Sequence, residues 1–383
     1  MGRTEETAST AISTLRANAI DAPVTGADLD VRQGLHHEGA GLRETTRCDL
    51  PEEVSAWIAI QQQRAPSSQQ APTSVPPSRC PWVDGSYQLL RQLGRGAMGQ
   101  VVLALDLRLE REVAIKFPGP HVADLHAASE QLRSEARMMA RVHDPHVAHV
   151  HSLGGTDVPY LVMEYVPGGT LEALVATRAP LPLDEALALL DEICQGAEAL
   201  HAAGVVHGDL KPGNLLLAAD QRVVVADLGL ARLITELAQD FSPEVAGTPA
   251  YVAPEVIMQL AVTGELATRR DVYALGVLAY LLLTGRPPFE ASDIAALLSM
   301  HLQATPRPLR FWRPEVPAGL EQVVMRALEK DPALRLASAA EFRRGVIRAR
   351  EFLASDPAAV MPSADPYAFA GVTAAGRDHP WSV

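Results

Sequence analysis

The pattern of hydrophobic and polar positions divides the chain into a polar first part, a dense central part and a polar end. Residues 1–86 are rich in Ala, Ser, Thr, Gln and Pro, and Gln61 to Arg79 has the composition of a flexible linker. From Tyr87 to about Phe352, apolar residues recur at strand and helix spacings. Residues 354–383 are again rich in Ala, Pro and Asp. We therefore predict one globular region between two largely flexible segments.

Within the first segment, residues 50–63 carry the pattern of a short helix. Asp49 can cap its N-terminus, and acidic residues follow in the first turn, where they favour a helix. Trp57, Ile58 and Ile60 then give the segment apolar side chains. Two interpretations stay open: a helix that docks on the globular region or on a partner protein, and a marginal helix in a disordered tail.

The globular region opens with two apolar strands, Tyr87 to Leu93 and Val101 to Leu105, around a turn that contains Gly94, Gly96 and Gly99. Glycines allow main-chain N–H groups to come close to phosphate oxygens. The same G-x-G-x-x-G spacing marks dinucleotide-binding folds, but there a helix follows the glycines. Because a strand follows here, the motif alone predicts a hairpin, either an ordinary one or one that covers phosphate groups.

The next predicted strand, Arg111 to Lys116, ends in a lysine, and the pattern after it supplies a partner. Residues 131–142 have the spacing of an amphipathic helix, and Glu135 lies on it. An exposed Lys–Glu pair contributes little to stability. We therefore interpret the pair as a device that holds the Lys116 ammonium against nucleotide phosphates, a point contact that suits lysine.

Polar residues cluster further along, after a long predicted helix and at the end of a short apolar strand. Asp209 can accept a proton or orient a hydroxyl group, and Lys211 can neutralise a moving phosphoryl group. Asn214 and Asp227 offer the oxygen ligands that Mg²⁺ prefers. These groups supply the positioning and the charge that phosphoryl transfer requires.

Taken in order, these motifs resemble those of the eukaryotic-type (Hanks-type) serine/threonine protein kinases. The resemblance covers about Tyr87 to Phe352. Its motifs are the glycine-rich turn, V-A-I-K ending at Lys116, the helix acid Glu135, the loop from His207 to Asn214, D-L-G from Asp227, A-P-E ending at Glu255, Arg270-Asp271 and the segment from Lys330 to Arg335. Lys211 and Thr248 resemble the serine/threonine branch rather than the tyrosine branch, and the Arg-rich, Lys-poor usage suggests a bacterial member.

The resemblance implies an α+β bilobal fold with an ATP cleft between the lobes. The kinase domain would span 87–353, with a small β-rich N-lobe at 87–165 and a larger helical C-lobe at 166–353. Residues 1–86 would be an N-terminal extension and 354–383 a tail. ATP and Mg²⁺ would be the cofactors, and the γ-phosphoryl group would pass to Ser or Thr hydroxyls of protein substrates.

The resemblance also implies roles for individual residues. Asp209, Lys211, Lys116 and Glu135 would be catalytic, and Asn214 and Asp227 would bind the metal. The nucleotide would contact Gly94, Arg95, Gly96, Ala97, Met98, Gly99, Val101, Ala114, Lys116, Met163, Glu164, Val166 and Leu216. In this set, Val101, Ala114 and Leu216 would enclose the adenine, Met163 would be the gatekeeper, and Glu164 and Val166 would offer backbone contacts, although each apolar position also fits plain core packing. Asp271 would brace the catalytic loop, and Arg335 would pair with Glu255.

One departure from the family pattern is His-Gly-Asp, where His-Arg-Asp is commoner. In the family that arginine commonly grips an activation-loop phosphate, and Gly208 has no side chain to do so. We therefore predict activity that does not depend on phosphorylation of Thr235 or Ser242. His-Gly-Asp also resembles aminoglycoside-type small-molecule kinases, and a pseudokinase scaffold is a third alternative. The A-P-E segment and the full set of catalytic residues favour a protein kinase.

Net charge and cysteine usage indicate which partners and which cellular compartment to expect. The chain of 383 residues has a formal net charge of -13, which disfavours nucleic acid and anionic membranes as partners. Three widely spaced cysteines fit a reducing compartment. The N-terminus lacks an apolar signal region, and the most apolar stretch, Val272 to Thr284, is too short to cross a bilayer. We expect a cytoplasmic protein whose residues 1–86 offer a docking site to a partner.

Lysine is rare in this chain. Of 33 Lys and Arg residues, only Lys116, Lys211 and Lys330 are lysines. The first two fall where phosphoryl transfer calls for a compact ammonium group, and we interpret Lys330 as a surface charge.

Overall fold

The protein was studied as a computed structural model, which describes residues 82–96, 99–118, 125–155, 159–228, 232–233, 249–260, 262 and 264–355. Some sequence predictions lie outside these residues: the helix at 50–63, the linker from Gln61 to Arg79, all but the first two residues of the tail at 354–383, Ala97 and Met98 of the glycine-rich turn, the two sites Thr235 and Ser242, and Thr248. The described residues form a β-rich lobe followed by a helical lobe, which is the predicted α+β bilobal arrangement.

The first lobe is a six-stranded antiparallel sheet with the strand order β1-β2-β3-β4-β6-β5. Its strands are β1 (Trp82–Val83), β2 (Tyr87–Gly96), β3 (Gly99–Asp106), β4 (Arg111–Pro118), β5 (Val150–Gly154) and β6 (Tyr160–Glu164). One helix, α1 (Leu125–Met139), packs against the sheet through the buried side chains of Leu132 and Met139. The predicted amphipathic helix is therefore present and begins earlier than residue 131.

The sheet starts before residue 87, where we placed the domain boundary. Trp82 pairs with Gln88 and Val83 with Tyr87, and the Val83 side chain is buried. The Tyr160 hydroxyl also hydrogen-bonds to the carboxylate of Asp84 in the turn that follows β1. Residues from Trp82 onward therefore belong to the folded lobe rather than to the extension.

The second lobe is built from helices around one long buried helix, α5. Its helices are α2 (Leu171–Arg178), α3 (Leu183–Ala202), α4 (Pro254–Ile257), α5 (Arg269–Thr284), α6 (Ile294–Gln303), α7 (Leu309–Trp312), α8 (Ala318–Ala327) and α9 (Ala339–Ser355). Every residue from Asp271 to Leu283 is buried, which confirms the apolar run as a core helix. None of the described helices combines the length and the apolar composition that a bilayer span requires.

Short strands bring the polar motifs of the helical lobe to the boundary between the lobes. They are β7 (Val205–Val206), β8 (Leu215–Leu217), β9 (Val223–Val225) and β10 (Arg232–Leu233), paired as β8 with β9 and β7 with β10. The backbone of Val225 bonds to His146 and Ala148 in the segment that enters β5. The residues that flank this small hairpin, Asn214 and Asp227, are thereby held beside the sheet.

Candidate active site

Lys116 lies at the centre of a buried ion-pair cluster. Its Nζ is 2.8 Å from both carboxylate oxygens of Glu135 on α1 and 2.7 Å from Oδ1 of Asp227 after β9. The side chains of Lys116 and Glu135 are 5% and 3% exposed, whereas that of Asp227 is 40% exposed. The cluster joins the sheet, α1 and the helical lobe, and Asp227 is its solvent-facing member.

The charges of Lys116 and Asp227 stabilise each other against the cost of burial, whereas at Glu135 burial outweighs the Lys116 charge and raises the pKa. Burial acts to lower the pKa of Lys116, but the carboxylates of Glu135 and Asp227 outweigh it, so the pKa is raised. Burial acts to raise the pKa of Asp227, but the Lys116 ammonium outweighs it, so the pKa is lowered. Lys116 therefore stays cationic and Asp227 anionic near neutral pH.

A second polar cluster surrounds Asp209. The Asn214 side-chain amide donates to the Asp209 carbonyl oxygen at 2.9 Å and to its Oδ2 at 3.2 Å. Lys211 Nζ lies 2.7 Å from the same Oδ2. Because the Asn214 nitrogen is engaged with Asp209, its side-chain oxygen is the atom left to accept or ligate. The Ala226 N–H donates to the Asn214 carbonyl at 2.9 Å, so this cluster directly adjoins Asp227.

Asp271 holds the backbone of the catalytic loop, as predicted. Its carboxylate accepts hydrogen bonds from the N–H groups of His207 and Gly208, both at 2.9 Å. His201 Nε2, from the end of α3, lies 2.8 Å from the same carboxylate. Burial acts to raise the pKa of Asp271, but the bond and charge of His201 and the loop N–H groups outweigh it, so the pKa is lowered.

Two residues of the site have left-handed backbone conformations. Gly208 has a φ of 77° and Asp227 a φ of 60°. Glycine adopts this conformation without the steric cost of a Cβ atom, so Gly208 introduces no backbone strain into the loop. Asp227 has a Cβ atom and is therefore strained in this conformation. Its bond to Lys116 holds the residue there, and such strained residues are common at functional sites.

The predicted nucleotide-binding residues lie along the edge between the lobes. Gly94, Arg95 and Gly96 are in β2 and Gly99 is in β3, and the strands pair up to Gly96 and Gly99. Across the sheet, Ala114 pairs with Met163, and both are buried together with Val166. Val101 and Leu216 are partly buried and pack on the same core, which is consistent with residues that line an open cleft.

The Glu164 N–H donates to the His149 carbonyl at 2.8 Å, so a contact from Glu164 to a base would use its carbonyl oxygen.

Below this cleft, Glu255 and Arg335 form the predicted ion pair. The guanidinium donates to both carboxylate oxygens at 2.6 Å, and both side chains are fully buried, at 1% and 0% exposed. Arg335 also donates to the backbone carbonyls of Arg269, Glu329 and Lys330. The A-P-E segment is thereby fixed to the start of α5 and to the segment after α8.

The interpretation of Lys330 as a plain surface charge was wrong. Its side chain is half-buried, with Nζ 4.4 Å from the centre of the Phe289 ring and 3.4 Å from the Met300 carbonyl oxygen. Burial, with a smaller contribution from Arg335, lowers the pKa of Lys330 to about 8. The sequence gave no sign of this, because the ring and the carbonyl come from segments at least 30 positions away.

Sequence reasoning also missed His201. The only signal was a histidine in the last turn of the helix before the catalytic loop, a position that usually indicates favourable contact with the helix dipole. Its partner Asp271 is 70 positions away, so only the tertiary structure identifies the contact.

Comparison with known protein families agrees with this geometry. The model for the protein kinase domain matches residues 87–344, which is well over half of the chain. The chain belongs to the protein kinase family. The kinase fold predicted from the motifs is confirmed by this match, and the family as a whole uses ATP and a divalent metal ion.

Several bacterial kinases are similar to the chain. The serine/threonine-protein kinase Pkn1 of Myxococcus xanthus is 38% identical over 268 residues, which are 68% of this chain and 38% of that protein. PrkC of Bacillus subtilis (strain 168) is 34% identical over 69% of this chain and 40% of its own length. PknB of Mycobacterium leprae is 34% identical over 74% and 46%. The matched region spans less than half the length of these curated relatives.

Proposed function

We propose that the protein is a serine/threonine protein kinase that transfers the γ-phosphoryl group of Mg-ATP to Ser or Thr hydroxyls of protein substrates. One observation carries the proposal. The cluster of Lys116, Glu135 and Asp227 and the cluster of Asp209, Lys211 and Asn214 adjoin each other through the bond between Ala226 and Asn214. Cation, carboxylate and amide are therefore concentrated at one edge of the cleft, as phosphoryl transfer requires.

The donor set at this edge fits Mg²⁺ bound to a nucleotide. Asp227 is the partly exposed acid of its cluster, and Asn214 keeps its side-chain oxygen available. Mg²⁺ is usually held by one or two protein oxygens together with phosphates and water, so two such ligands are enough. Asp227 and Asn214 would hold the ion, and it would supply positive charge against the negative charge that develops on the phosphates.

Each residue of the proposed active site then has a defined role. Lys116, held by Glu135, contacts the phosphates as a fixed positive charge. Asp209, oriented by Asn214, positions the substrate hydroxyl and accepts its proton. Lys211, beside Asp209, neutralises the negative charge of the phosphoryl group in transit. The hydrogen bonds that Asp271 accepts from the N–H groups of His207 and Gly208 keep the loop in the orientation that these tasks need.

The A-P-E segment supports a protein substrate. The buried pair between Glu255 and Arg335 keeps that segment attached to the helical lobe, and the relatives are all named serine/threonine-protein kinases. A small-molecule kinase and a pseudokinase scaffold are less favoured on these grounds. The cytoplasmic location, and a docking partner for residues 1–86, stay predictions from the sequence.

The test is phosphoryl transfer from labelled ATP by the full-length protein, with Mg²⁺ and generic protein substrates. Asp209→Asn should reduce transfer to protein by at least about 100-fold, because it removes the proton acceptor. Asp220→Asn is the matched control, since Asp220 is an exposed turn residue, with its side chain 66% exposed. Transfer only to a small molecule, or nucleotide binding without transfer, would overturn the proposal.

A further inference from the structure

Two aromatic side chains on α7 are exposed next to one another. Phe311 is 59% exposed and Trp312 is 38% exposed, and their rings meet edge to face with centroids 4.8 Å apart. Exposed single apolar residues are ordinary, but a contiguous aromatic pair on a surface is a common mark of a binding site.

Arginines surround this pair. The Arg286 guanidinium lies 4.1 Å from the Trp312 ring centre, and that of Arg307 lies 4.8 Å from the Phe311 ring centre. Arg310 is exposed on the same short helix. Among the described residues, none of these three guanidinium groups forms an ion pair with a carboxylate. We call Arg286, Arg307, Arg310, Phe311 and Trp312 the aromatic–arginine patch.

The patch is held in place from below. Trp312 Nε1 donates to the Tyr280 hydroxyl at 2.7 Å, and that hydroxyl donates to the Arg307 carbonyl at 3.0 Å. The Arg310 N–H donates to Glu321 at 2.7 Å. The rings and the backbone of the patch are therefore fixed before any partner arrives, which lowers the entropy cost of binding.

The chemistry of the patch selects an acidic partner with apolar side chains. Tryptophan and arginine dominate the centres of protein interfaces. Arginines that form no ion pair within the described part of the chain attract carboxylates, and the aromatic pair offers an apolar surface beside them.

The N-terminal extension contains a segment with this chemistry. Residues 49–60 read D-L-P-E-E-V-S-A-W-I-A-I. Their acids, Asp49, Glu52 and Glu53, stand at one end, and Trp57 and Ile58 follow one to two helical turns later. A helix over this segment would present carboxylates and apolar side chains in an order that matches arginines beside aromatic rings.

We propose that residues 49–60 dock on the aromatic–arginine patch of the same chain. Residues 61–81 separate the segment from β1 and would reach about 60 Å or more when extended, at about 3.3 Å per residue. A folded domain of this size is about 50 Å across. The linker therefore allows the segment to reach the patch, and it gives an effective concentration on the order of 1 mM.

Hydrogen–deuterium exchange on the full-length protein tests the contact. With an intrinsic dissociation constant of about 100 µM, the effective concentration predicts about tenfold slower exchange at 49–60 when the patch is intact. The double variant Arg286→Glu/Arg307→Glu should lose this protection, and so should Glu52→Arg/Glu53→Arg. The four substitutions together should restore it, because the charges are then exchanged.

The control is Arg344→Glu/Arg348→Glu, which makes the same charge change at two exposed positions on α9, outside the patch. This variant should keep the protection. Absent protection in the unmodified protein, or failure of the fourfold variant to restore it, would overturn the proposal. Protection that rises with protein concentration would also overturn it, since it would mean that a second copy supplies the segment. None of these outcomes bears on phosphoryl transfer, so the two proposals fail separately.

Discussion

The ammonium of Lys116, whose side chain is 5% exposed, makes three short contacts to two carboxylates. A compact ammonium on a flexible stem fits between Glu135 and Asp227, whereas a planar guanidinium is larger and places its donors further out. The choice of lysine in a chain that otherwise uses arginine therefore has a steric reason at this position.

Lys116→Arg should lower kcat/KM for phosphoryl transfer by about 100-fold, because displacement of the charge by about 1 Å disturbs the positioning of the phosphates. The positive charge is retained, but the larger guanidinium crowds a buried site, so the thermal unfolding temperature should also fall. The reverse exchange Arg111→Lys, on the same strand and 41% exposed, is the control and should leave turnover unchanged. Intact activity in Lys116→Arg would show that the nucleotide lies elsewhere.

Gly208 combines a left-handed backbone with the absence of a side chain. Its N–H is bonded to Asp271, so the loop is held by the buried helix α5 rather than by any side chain at position 208. A loop that is braced internally has no need of a phosphate for its position.

Because the loop is braced by Asp271, Thr235→Ala/Ser242→Ala should keep turnover within about threefold of the unmodified protein, a small change in the activation barrier at 1.36 kcal/mol per tenfold. The two turnover rates are measured as steady-state phosphorylation of a protein substrate by the full-length proteins. A loss of tenfold or more would mean that phosphorylation of these residues does control the activity.

At the level of helices, α5 organises the helical lobe. Its first turn carries Asp271, which binds the catalytic loop, and the Arg269 carbonyl at its start accepts a bond from Arg335. Further along, Tyr280 supports Trp312 of α7. One buried helix thus connects the catalytic loop, the A-P-E segment and the aromatic–arginine patch.

Lys330 lies between α8 and the loop that carries Arg335, and it contacts the end of α6 through the Met300 carbonyl. Burial lowers its pKa to about 8, below the ordinary value near 10.4 that it regains on unfolding. Between these two values the unfolded chain binds more protons than the folded one, so this residue makes stability rise with pH.

Lys330→Met should remove this contribution. The unfolding temperature of the unmodified protein should increase relative to that of the variant as pH rises from about 8 to about 10, because only the unmodified protein carries this titration. Thermal unfolding of both proteins across this range measures the difference, and subtraction cancels the groups that they share. A constant difference would contradict the half-buried position.

For the chain as a whole, the sheet of the first lobe already includes Trp82 and Val83, which lie before the predicted boundary at residue 87. β1 adds one more strand to the sheet edge, and the Val83 side chain is 2% exposed. The bond between Tyr160 and Asp84 ties the following turn to β6. The proposed catalytic and metal-binding residues of the active site all lie within the described range.

Two truncated chains test this boundary. A chain that begins at Trp82 should retain phosphoryl transfer, and one that begins at Tyr87 should be less stable by about 1.5–3 kcal/mol, the cost of losing a buried valine. Urea unfolding of the two chains gives the difference directly. Equal stabilities would mean that β1 contributes nothing to the folded lobe.

The sequence by itself determined the parts of this protein that depend on local spacing. The glycine-rich hairpin, the helix of Glu135, the buried helix α5 and the order of the kinase motifs could all be predicted, because turns and amphipathic periods are properties of neighbouring residues. The pair of Lys116 with Glu135 was predicted from the same local pattern. The contacts of Asp271 with the catalytic loop and of Glu255 with Arg335 followed from the resemblance to a known family.

Only the tertiary structure decided the features that depend on distant segments. The direct bond of Lys116 to Asp227 joins positions 111 residues apart, and that of His201 to Asp271 joins positions 70 residues apart. The burial of Lys330 and the exposure of Phe311 beside two arginines likewise depend on which helices pack together. Burial and charge pairing arise from three-dimensional packing, which no local pattern of residues specifies.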